Sequence, residues 1–171
     1  IFVHIPKTGG ASIEKSLGIF GNDNNGNLEP NFEILYGQTK DKILQHLKIE
    51  EIKKLKKKEF ETFKLVSFVR NPYDRIISEY LWRMQVYGKR KVEFKEFLNE
   101  EVIPIKNNFN RHLKNFYRDE HMIPFLNIHY ENQINFIKID NIIQVNNIGR
   151  FENFTDDFIK IFEKKLINYK I

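Results

Sequence analysis

A turn near the N-terminus, Pro6-Lys7-Thr8-Gly9-Gly10, combines a basic side chain with small residues. It follows the apolar run Ile1 to Ile5, which predicts a short buried strand, and it precedes Ala11 to Leu17, which predicts a helix. Amides at a helix start lack intrahelical partners, and the helix dipole favours negative charge there. The turn therefore predicts an anion site of the kind that holds phosphate, with the charge of Lys7 at its rim.

The same turn has a simpler interpretation as a tight turn with a surface lysine. It does not match the pattern G-x-x-x-x-G-K-[ST], because no glycine stands where the first glycine of that pattern is required. We therefore do not expect an ordinary ATP-hydrolysing P-loop.

A second basic motif begins where the next predicted strand, Leu65 to Val69, ends at Arg70. Asn71 is suited to cap a helix whose first position is Pro72. Along this helix the spacing predicts one broad apolar arc, formed by Tyr73, Ile76, Ile77, Tyr80, Leu81 and Met84. Ser78 lies off this arc, where it can face a ligand. In the simpler interpretation, Ser78 faces only water and Arg75 pairs with Asp74 or Glu79 on the surface.

Strands that alternate with helices predict an α/β fold, in which a central parallel sheet is flanked by helices in three layers. A further strand is expected within Ile142 to Phe151, followed by a last helix capped by Asn153 or Thr155. Ligands of such folds bind at the carboxyl ends of the strands, the position that Lys7 and Arg70 share. If the first two strands are neighbours, these two residues flank one crevice.

Length and composition restrict the classes of protein. The 171 residues suit a single domain over 1–171, and the net charge of +5 favours an anionic partner. No cysteine is present, which excludes disulfides and thiol chemistry, and no apolar run is long enough to cross a bilayer. The chain starts inside a strand without Met, so we expect N-terminal trimming. We expect a cytoplasmic protein, or a Golgi-luminal or membrane-anchored one if an N-terminal segment has been removed.

A lysine-rich stretch, Lys53 to Lys58, interrupts the apolar positions Ile49, Ile52 and Leu55 of another predicted helix. Such a run is most simply a solvated helix face, and we do not expect nucleic acid as a partner. His112, His121 and His129 show none of the spacings that are typical of a zinc site.

Taken together, the two basic motifs resemble those of a known family. The stretch "FVHIPKTGGASI" is similar to the 5′-phosphosulfate loop, and "FVRNPYDRIISEY" to the 3′-phosphate motif, of sulfotransferases that use 3′-phosphoadenosine 5′-phosphosulfate (PAPS). The resemblance is to the carbohydrate type, which includes heparan sulfate 2-O-sulfotransferase-like proteins and bacterial relatives. "IGRFENFTDDF" near the C-terminus and "QHLKIEEIKK" before the second strand resemble further parts of that family. The matches span nearly the whole chain and imply a P-loop-like fold.

The resemblance implies a role for each motif residue. The 5′-phosphosulfate would be held by Lys7 and by the amides of Thr8, Gly9, Gly10, Ala11 and Ser12. The 3′-phosphate would be bound by Arg70 and Ser78. Guanidinium is a permanently charged, bidentate phosphate partner, which agrees with this assignment. Because a sulfuryl group carries less charge than a terminal phosphate, we expect no metal, and Lys7 is suited to stabilise the leaving phosphate.

The acceptor hydroxyl requires a base, and His46 is our candidate because a neutral imidazole can take up a proton near pH 7. Its position matches a family histidine; the alternative is a surface histidine beside the lysine-rich helix. Glu14, Glu33 and Asp41 are rival bases. The expected acceptor is a carbohydrate or another hydroxyl-bearing molecule. The competing functions are a small nucleotide kinase and a non-enzymatic basic module that binds nucleic acid or acidic glycan through Lys53 to Lys58.

Overall fold

The computed structural model describes residues 1–18, 31–37, 39, 43–86, 92–103 and 127–166. Its contacts divide the chain into two compact units, Ile1–Asn71 with Asn132–Ile171, and Pro72–Glu131. The single domain expected from the length stays a prediction. In the part of the chain that is described, no helix is long and apolar enough to cross a membrane.

The strands are short, and the helices have between 4 and 15 residues. The helices are α1 Gly10–Ser16, α2 Ile49–Leu55, α3 Lys57–Thr62, α4 Pro72–Val86, α5 Phe94–Phe97, α6 Ile134–Ile137 and α7 Phe154–Leu166. The strands are β1 Phe2–Val3, β2 Val66–Val69, β3 Lys138–Ile139, β4 Ile142–Ile143 and β5 Asn147–Arg150. Turns of 3₁₀-helix cover Leu44–His46, Asn127–Tyr130 and Phe151–Asn153, and a π-helical turn covers Leu98–Val102.

The first unit is built on a parallel sheet in the order β1-β2-β5. β2 is central: Val66 lies opposite Phe2 on one side and opposite Asn147 on the other. The hydroxyl of Ser67 is buried and donates to the carbonyl of Val3 at 2.8 Å, which adds a side-chain bond between the first two strands. β3 and β4 form a separate antiparallel pair.

Helices α1 and α7 cover this sheet. Ile13 of α1 and Phe162 of α7 share a buried cluster with Val66 and Phe68 of β2, and Leu17 packs against it. The apolar side chains of α1 thus face the core of this unit. α2 packs against α6 and β3. The predicted α/β class, with a central parallel sheet flanked by helices, is confirmed.

The lysine-rich stretch forms parts of α2 and α3. Ile49 and Ile52 are buried as predicted, but Leu55 is half exposed because α2 ends there and α3 begins at Lys57. Lys53, Lys54, Lys57 and Lys58 are exposed. The stretch is therefore a solvated helix surface.

Helix α4 of the second unit differs from its sequence prediction. The expected single apolar arc is divided into two rows. The row that packs into the hydrophobic core of this unit is Ile76, Tyr80 and Met84. The exposed row is Tyr73, Ile77 and Leu81, and Tyr73 keeps 78 % of its surface exposed. The prediction was wrong here because apolar spacing does not reveal which charged residues are also buried.

The buried charged row of α4 is Arg75, Glu79 and Arg83. Arg83 pairs with Glu79 and, at 2.8 Å, with Glu101 of the π-helical turn. His129 Nδ1 donates to the second oxygen of Glu79 at 2.8 Å, and the hydroxyl of Tyr130 donates to Glu101. We call these five residues, Glu79, Arg83, Glu101, His129 and Tyr130, the buried charge network.

The simpler interpretation expected Arg75 to lie on the surface, but its side chain is buried. Its guanidinium donates to the carbonyls of Glu131 at 2.9 Å and His129 at 2.8 Å. Burial lowers the pKa of Arg75 to about 10, against the opposing charges of Glu79 and Glu131. Arg75 therefore stays charged at neutral pH and binds α4 to the 3₁₀ turn Asn127–Tyr130 and to Glu131, which follows it.

Candidate active site

The turn that we predict to bind an anion, called the anion-binding turn below, has an unusual backbone. Gly9 precedes α1 with a φ of +86°, and Lys7 has a φ of +66°, a region that residues with a Cβ rarely adopt. Thr8 between them is fully buried, and its hydroxyl donates to the carbonyl of Ile5 at 2.8 Å. This bond stabilises the turn. Because the hydroxyl is engaged in it, the main-chain N–H is the group through which Thr8 would contact a ligand.

Both glycines of the turn are required by close packing. A Cβ on Gly10 would lie 2.0 Å from the ring of His4, and a Cβ on Gly9 would lie 2.9 Å from the ring of Phe151. Contacts below 3.0 Å are sterically forbidden, so neither position accepts a larger residue without a shift of an aromatic ring. The rings of His4 and Phe151 therefore pack against the turn.

The start of α1 leaves only some of the predicted amides available. The carbonyl of Gly9 accepts from Ser12 N at 3.0 Å and from Ile13 N at 3.2 Å, so the amide of Ser12 belongs to the helix. The amides of Gly10 and Ala11 stand in the first turn, where a helix provides no acceptor. Ser12 keeps an exposed side chain and contributes through its hydroxyl if it contacts the ligand.

The first two strands are neighbours, and Arg70 and Lys7 therefore come into contact. Arg70 Nη1 donates to the main-chain carbonyl of Lys7 at 3.4 Å. The guanidinium lies 4.1 Å from the ring centre of Phe151, which restricts its orientation. Its Nε is buried and has no hydrogen-bond partner among the described residues. A guanidinium held by stacking, with donor capacity left over, fits a phosphate oxygen.

The third sequence motif runs from β5 into α7. Its residues contact both basic motifs. Besides the contacts of Phe151, the carboxylate of Glu152 accepts from Asn71 N at 2.5 Å. The pKa of Glu152 is lowered by this bond, by the bond to its own N–H and by the nearby charges of Arg70 and Arg150. Arg150 N donates to Asp157 at 2.7 Å. Glu152 therefore fixes the residue that follows Arg70, a role that the sequence did not assign.

Gln133 is a positioning residue that the sequence analysis missed. Its amide oxygen accepts from Arg70 N at 2.9 Å and its amide nitrogen donates to Arg70 O at 2.7 Å. The two bonds satisfy the main chain of Arg70 where β2 ends. No local pattern around Gln133 could have indicated this, because the partner lies 63 residues away.

His46 is buried behind the turn rather than exposed on the lysine-rich helix. Its Nδ1 donates to the carbonyl of His4 at 3.3 Å, and the two imidazole rings meet edge to face, with centres 4.6 Å apart. A neutral histidine that donates through Nδ1 carries its basic lone pair on Nε2. A neutral His46 therefore carries its proton on Nδ1 in this contact.

His4 has its own carboxylate partner. Its Nδ1 donates to Oε1 of Glu14 at 2.7 Å, and both side chains are buried. His4 therefore makes a buried hydrogen bond next to the turn. Of the rival bases, Glu14 is engaged in this pair, Glu33 is exposed, and Asp41 lies outside the described residues.

Ser78 belongs to α4, in the second unit, and is half-buried. Its predicted pairing with Arg70 on the 3′-phosphate stays a prediction. His129 lies in the buried charge network, whereas His112 and His121 fall outside the described residues. Within the described ranges, no group of three His, Asp or Glu side chains could hold a metal ion.

Replacing Gly10 with Ala is expected to destabilise the protein by about 1–3 kcal/mol, because the new methyl group would displace the ring of His4. Urea unfolding measures the loss. Gly18→Ala is the control: its Cβ would meet nothing within 4 Å, so only the backbone strain at a φ of +69° remains. A Gly10 variant no less stable than the Gly18 variant would contradict the packing argument.

Nearly the entire chain is similar to a known protein family. A family model described as the sulfotransferase family matches residues 1–168. Searches of curated proteins and of solved structures each return no significant match. The matched span contains the turn, Arg70 and the third motif, and the family is consistent with the predicted P-loop-like fold. The chain therefore belongs to the sulfotransferase family and is an enzyme that transfers sulfuryl groups from a sulfate donor to an acceptor.

Proposed function

We propose that this enzyme transfers the sulfuryl group of PAPS to an acceptor hydroxyl, with a carbohydrate as the expected acceptor class. The observation that carries the donor assignment is the approach of Arg70 Nη1 to the carbonyl of Lys7 at 3.4 Å. It brings a guanidinium next to an anion-binding turn, so two anionic groups of one molecule are offered partners at the same strand ends. The carbohydrate acceptor rests on the family resemblance of the motifs.

PAPS supplies a sulfuryl group on a good phosphate leaving group. Sulfuryl transfer resembles phosphoryl transfer, in which an in-line displacement needs positioning and stabilisation of charge. Lys7 and the amides of the turn stabilise the negative charge that grows on the leaving phosphate. Arg70, held by Phe151 and Gln133, orients the nucleotide through its 3′-phosphate. Ser78 is the proposed second partner of that phosphate.

His46 removes the proton from the attacking hydroxyl in this proposal. Its Nδ1–H bond to the carbonyl of His4 leaves Nε2 as the proton acceptor. The carbonyl accepts only while Nδ1 is protonated, so the contact also selects the tautomer. The ring of His46 contacts that of His4, which packs next to Gly10, and this supports a position near the turn.

The donor assignment is tested by calorimetry with 3′-phosphoadenosine 5′-phosphate (PAP) and ADP. We expect PAP to bind more tightly. Arg70→Lys keeps the charge but loses the planar fork, and Arg70→Ala loses both, so PAP binding should weaken by about 10-fold and about 100-fold. Lys58→Ala, on the exposed surface of α3, is the control. Tighter binding of ADP would instead support the nucleotide kinase.

The base assignment is tested with His46→Gln, which fills the space of the buried ring with a polar side chain. We expect PAP binding to be unchanged and kcat to fall by about 10²–10⁴-fold, the usual contribution of general base catalysis. If Glu33→Gln produced this loss and His46→Gln did not, the carboxylate would be the base.

A further inference from the structure

The imidazole of His4 lies across the first turn of α1. Gly10 and Glu14 are four positions apart, so they lie on the same face of that helix. The ring edge formed by Cδ2, Nε2 and Cε1 faces Gly10, and Nδ1 donates to Oε1 of Glu14 at 2.7 Å. One ring therefore contacts both the start of α1 and a carboxylate one turn further along it.

Two aromatic rings enclose His4 on other sides. The ring of Phe2 stacks on it with centres 5.7 Å apart, and the ring of His46 meets it edge to face at 4.6 Å. Only 6 % of the surface of His4 and 5 % of that of Glu14 is exposed. Bulk water is therefore a poor substitute for the carboxylate as the acceptor of the Nδ1 proton.

The hydrogen bond to Glu14 defines the orientation of this ring. The χ2 angle of a histidine has broad minima, so packing alone defines the ring plane only loosely. A hydrogen bond to a charged acceptor is stronger than one between neutral groups, and a buried N–H without an acceptor is costly. The carboxylate of Glu14 therefore stabilises the orientation in which Nδ1 points to Glu14 and the opposite edge faces Gly10.

The orientation of His4 affects both the turn and the proposed base. Gly10 carries one of the amides that have no acceptor within α1, and the close approach of the His4 ring limits how far Gly10 can move. The main-chain carbonyl of His4 accepts from Nδ1 of His46 at 3.3 Å. His4 thus contacts the turn through its ring, and it contacts His46 through its ring and its carbonyl.

We propose that Glu14 and His4 form a positioning pair, which holds Gly10 and His46 in the geometry needed for sulfuryl transfer. The inference rests on the proposed function, because it assigns the pair to the turn and to the base named there. Glu14 acts through the ring of His4, and neither side chain is assigned a contact with the donor. Glu14, a rival base in the sequence analysis, thereby receives a different role.

Two replacements of Glu14 separate its hydrogen bond from its charge. Glu14→Gln loses the charge but keeps an oxygen that can accept from Nδ1, whereas Glu14→Met, of similar length, loses both. We expect PAP binding to stay within about 2-fold of the parent protein in Glu14→Gln and to weaken by about 5- to 10-fold in Glu14→Met, with a fall in kcat of at least that size. Calorimetry measures the affinity, and turnover of labelled PAPS measures kcat.

Ser67→Ala is the control for a loss of stability without a change at the turn. It also removes a buried hydrogen bond of the first unit, from the hydroxyl of Ser67 to the carbonyl of Val3. Its melting temperature should fall, while its PAP affinity and kcat should equal those of the parent protein. If Glu14→Met likewise melted at a lower temperature but kept the parent affinity and kcat, the pair would be structural only and the proposal would be overturned.

A double-mutant cycle tests whether Glu14 acts through His4. His4→Asn keeps a donor near the position of Nδ1 but lacks the ring edge that faces Gly10, so by itself it should weaken PAP binding by about 5- to 10-fold. In that variant the further change Glu14→Met should add less than about 2-fold. Independent losses that multiply would mean that Glu14 affects the turn by another route, and would reject the pair.

Binding of PAP to the parent protein separates a failure of this inference from a failure of the proposed function. If the parent protein binds PAP more tightly than ADP and Glu14→Met binds PAP equally well, the pair is rejected but the donor assignment stands. If the parent protein binds ADP more tightly, the PAPS assignment fails. Because the pair is proposed to serve sulfuryl transfer from PAPS, it then fails as well.

Discussion

The variant Lys7→Ala is expected to lower kcat by about 10²–10³-fold, the usual effect of removing one group that stabilises transition-state charge. The ammonium is the proposed cation that stabilises the leaving phosphate. Its contact with Arg70 is through the main-chain carbonyl and is kept in the variant. Alanine also has a Cβ, so the strain at a φ of +66° changes little. The loss should therefore report on charge rather than on folding.

Turnover of labelled PAPS over a panel of hydroxyl acceptors measures this effect, with the melting temperature as a check on folding. Lys15→Ala is the matched control, because Lys15 is an exposed lysine in the last turn of the same helix that the turn begins. Both variants should melt close to the parent protein. A kcat in Lys7→Ala equal to that of Lys15→Ala would remove Lys7 from the mechanism.

The largest loss of stability is expected for Glu79→Gln in the buried charge network. Its carboxylate bonds with both Arg83 and His129, and all three side chains are buried. Removing one partner of a buried ion pair leaves the other charge uncompensated, which costs about 3–5 kcal/mol. Urea unfolding at pH 7 measures the free energy of unfolding.

The same carboxylate predicts how stability depends on pH. Burial by itself raises the pKa of Glu79, but the charges and hydrogen bonds of His129 and Arg83 outweigh it and lower the pKa from 4.5 to about 2. The unfolded chain therefore binds this proton first as the pH falls. The stability that Glu79 contributes is fully present above about pH 4.5 and is lost between pH 4.5 and about pH 2.

Glu93→Gln is the control for both effects. Glu93 is an exposed residue of the same unit, and its side chain makes no capping bond to α5. This variant should keep the stability and the acid dependence of the parent protein. If Glu79→Gln unfolded along the same pH curve as Glu93→Gln, the ionised state of Glu79 would contribute nothing to the fold.

The sequence predicted the elements that carry their signal locally. β2 reads as an apolar run, and α1 and α4 begin with turn and capping residues at the expected positions. The contact between Lys7 and Arg70 depends on the parallel pairing of β1 with β2. From the sequence, this pairing was only an assumption. Pairing joins residues that are more than 60 positions apart, so no local pattern reveals it.

The errors on α4 have one physical cause. Periodicity places Arg75, Glu79 and Arg83 on one helix row, but it predicts a solvated row because isolated charges are costly to bury. Glu101 and His129 make burial possible by pairing with these groups, and they come from distant segments. Once that row is buried, Tyr73, Ile77 and Leu81 are turned toward solvent.

By itself the sequence determined the chemistry of the enzyme: a basic turn, a guanidinium at a strand end and the motifs of a sulfotransferase. These are properties of contiguous residues whose local structure follows from glycine, proline and apolar spacing. Only the tertiary structure decided how the groups are held. Arg70 is positioned by Phe151 and Gln133, and Asn71 by Glu152. The carbonyl of His4 accepts a hydrogen bond from Nδ1 of His46. These contacts join residues far apart in the chain, so they exist only after the strands have paired.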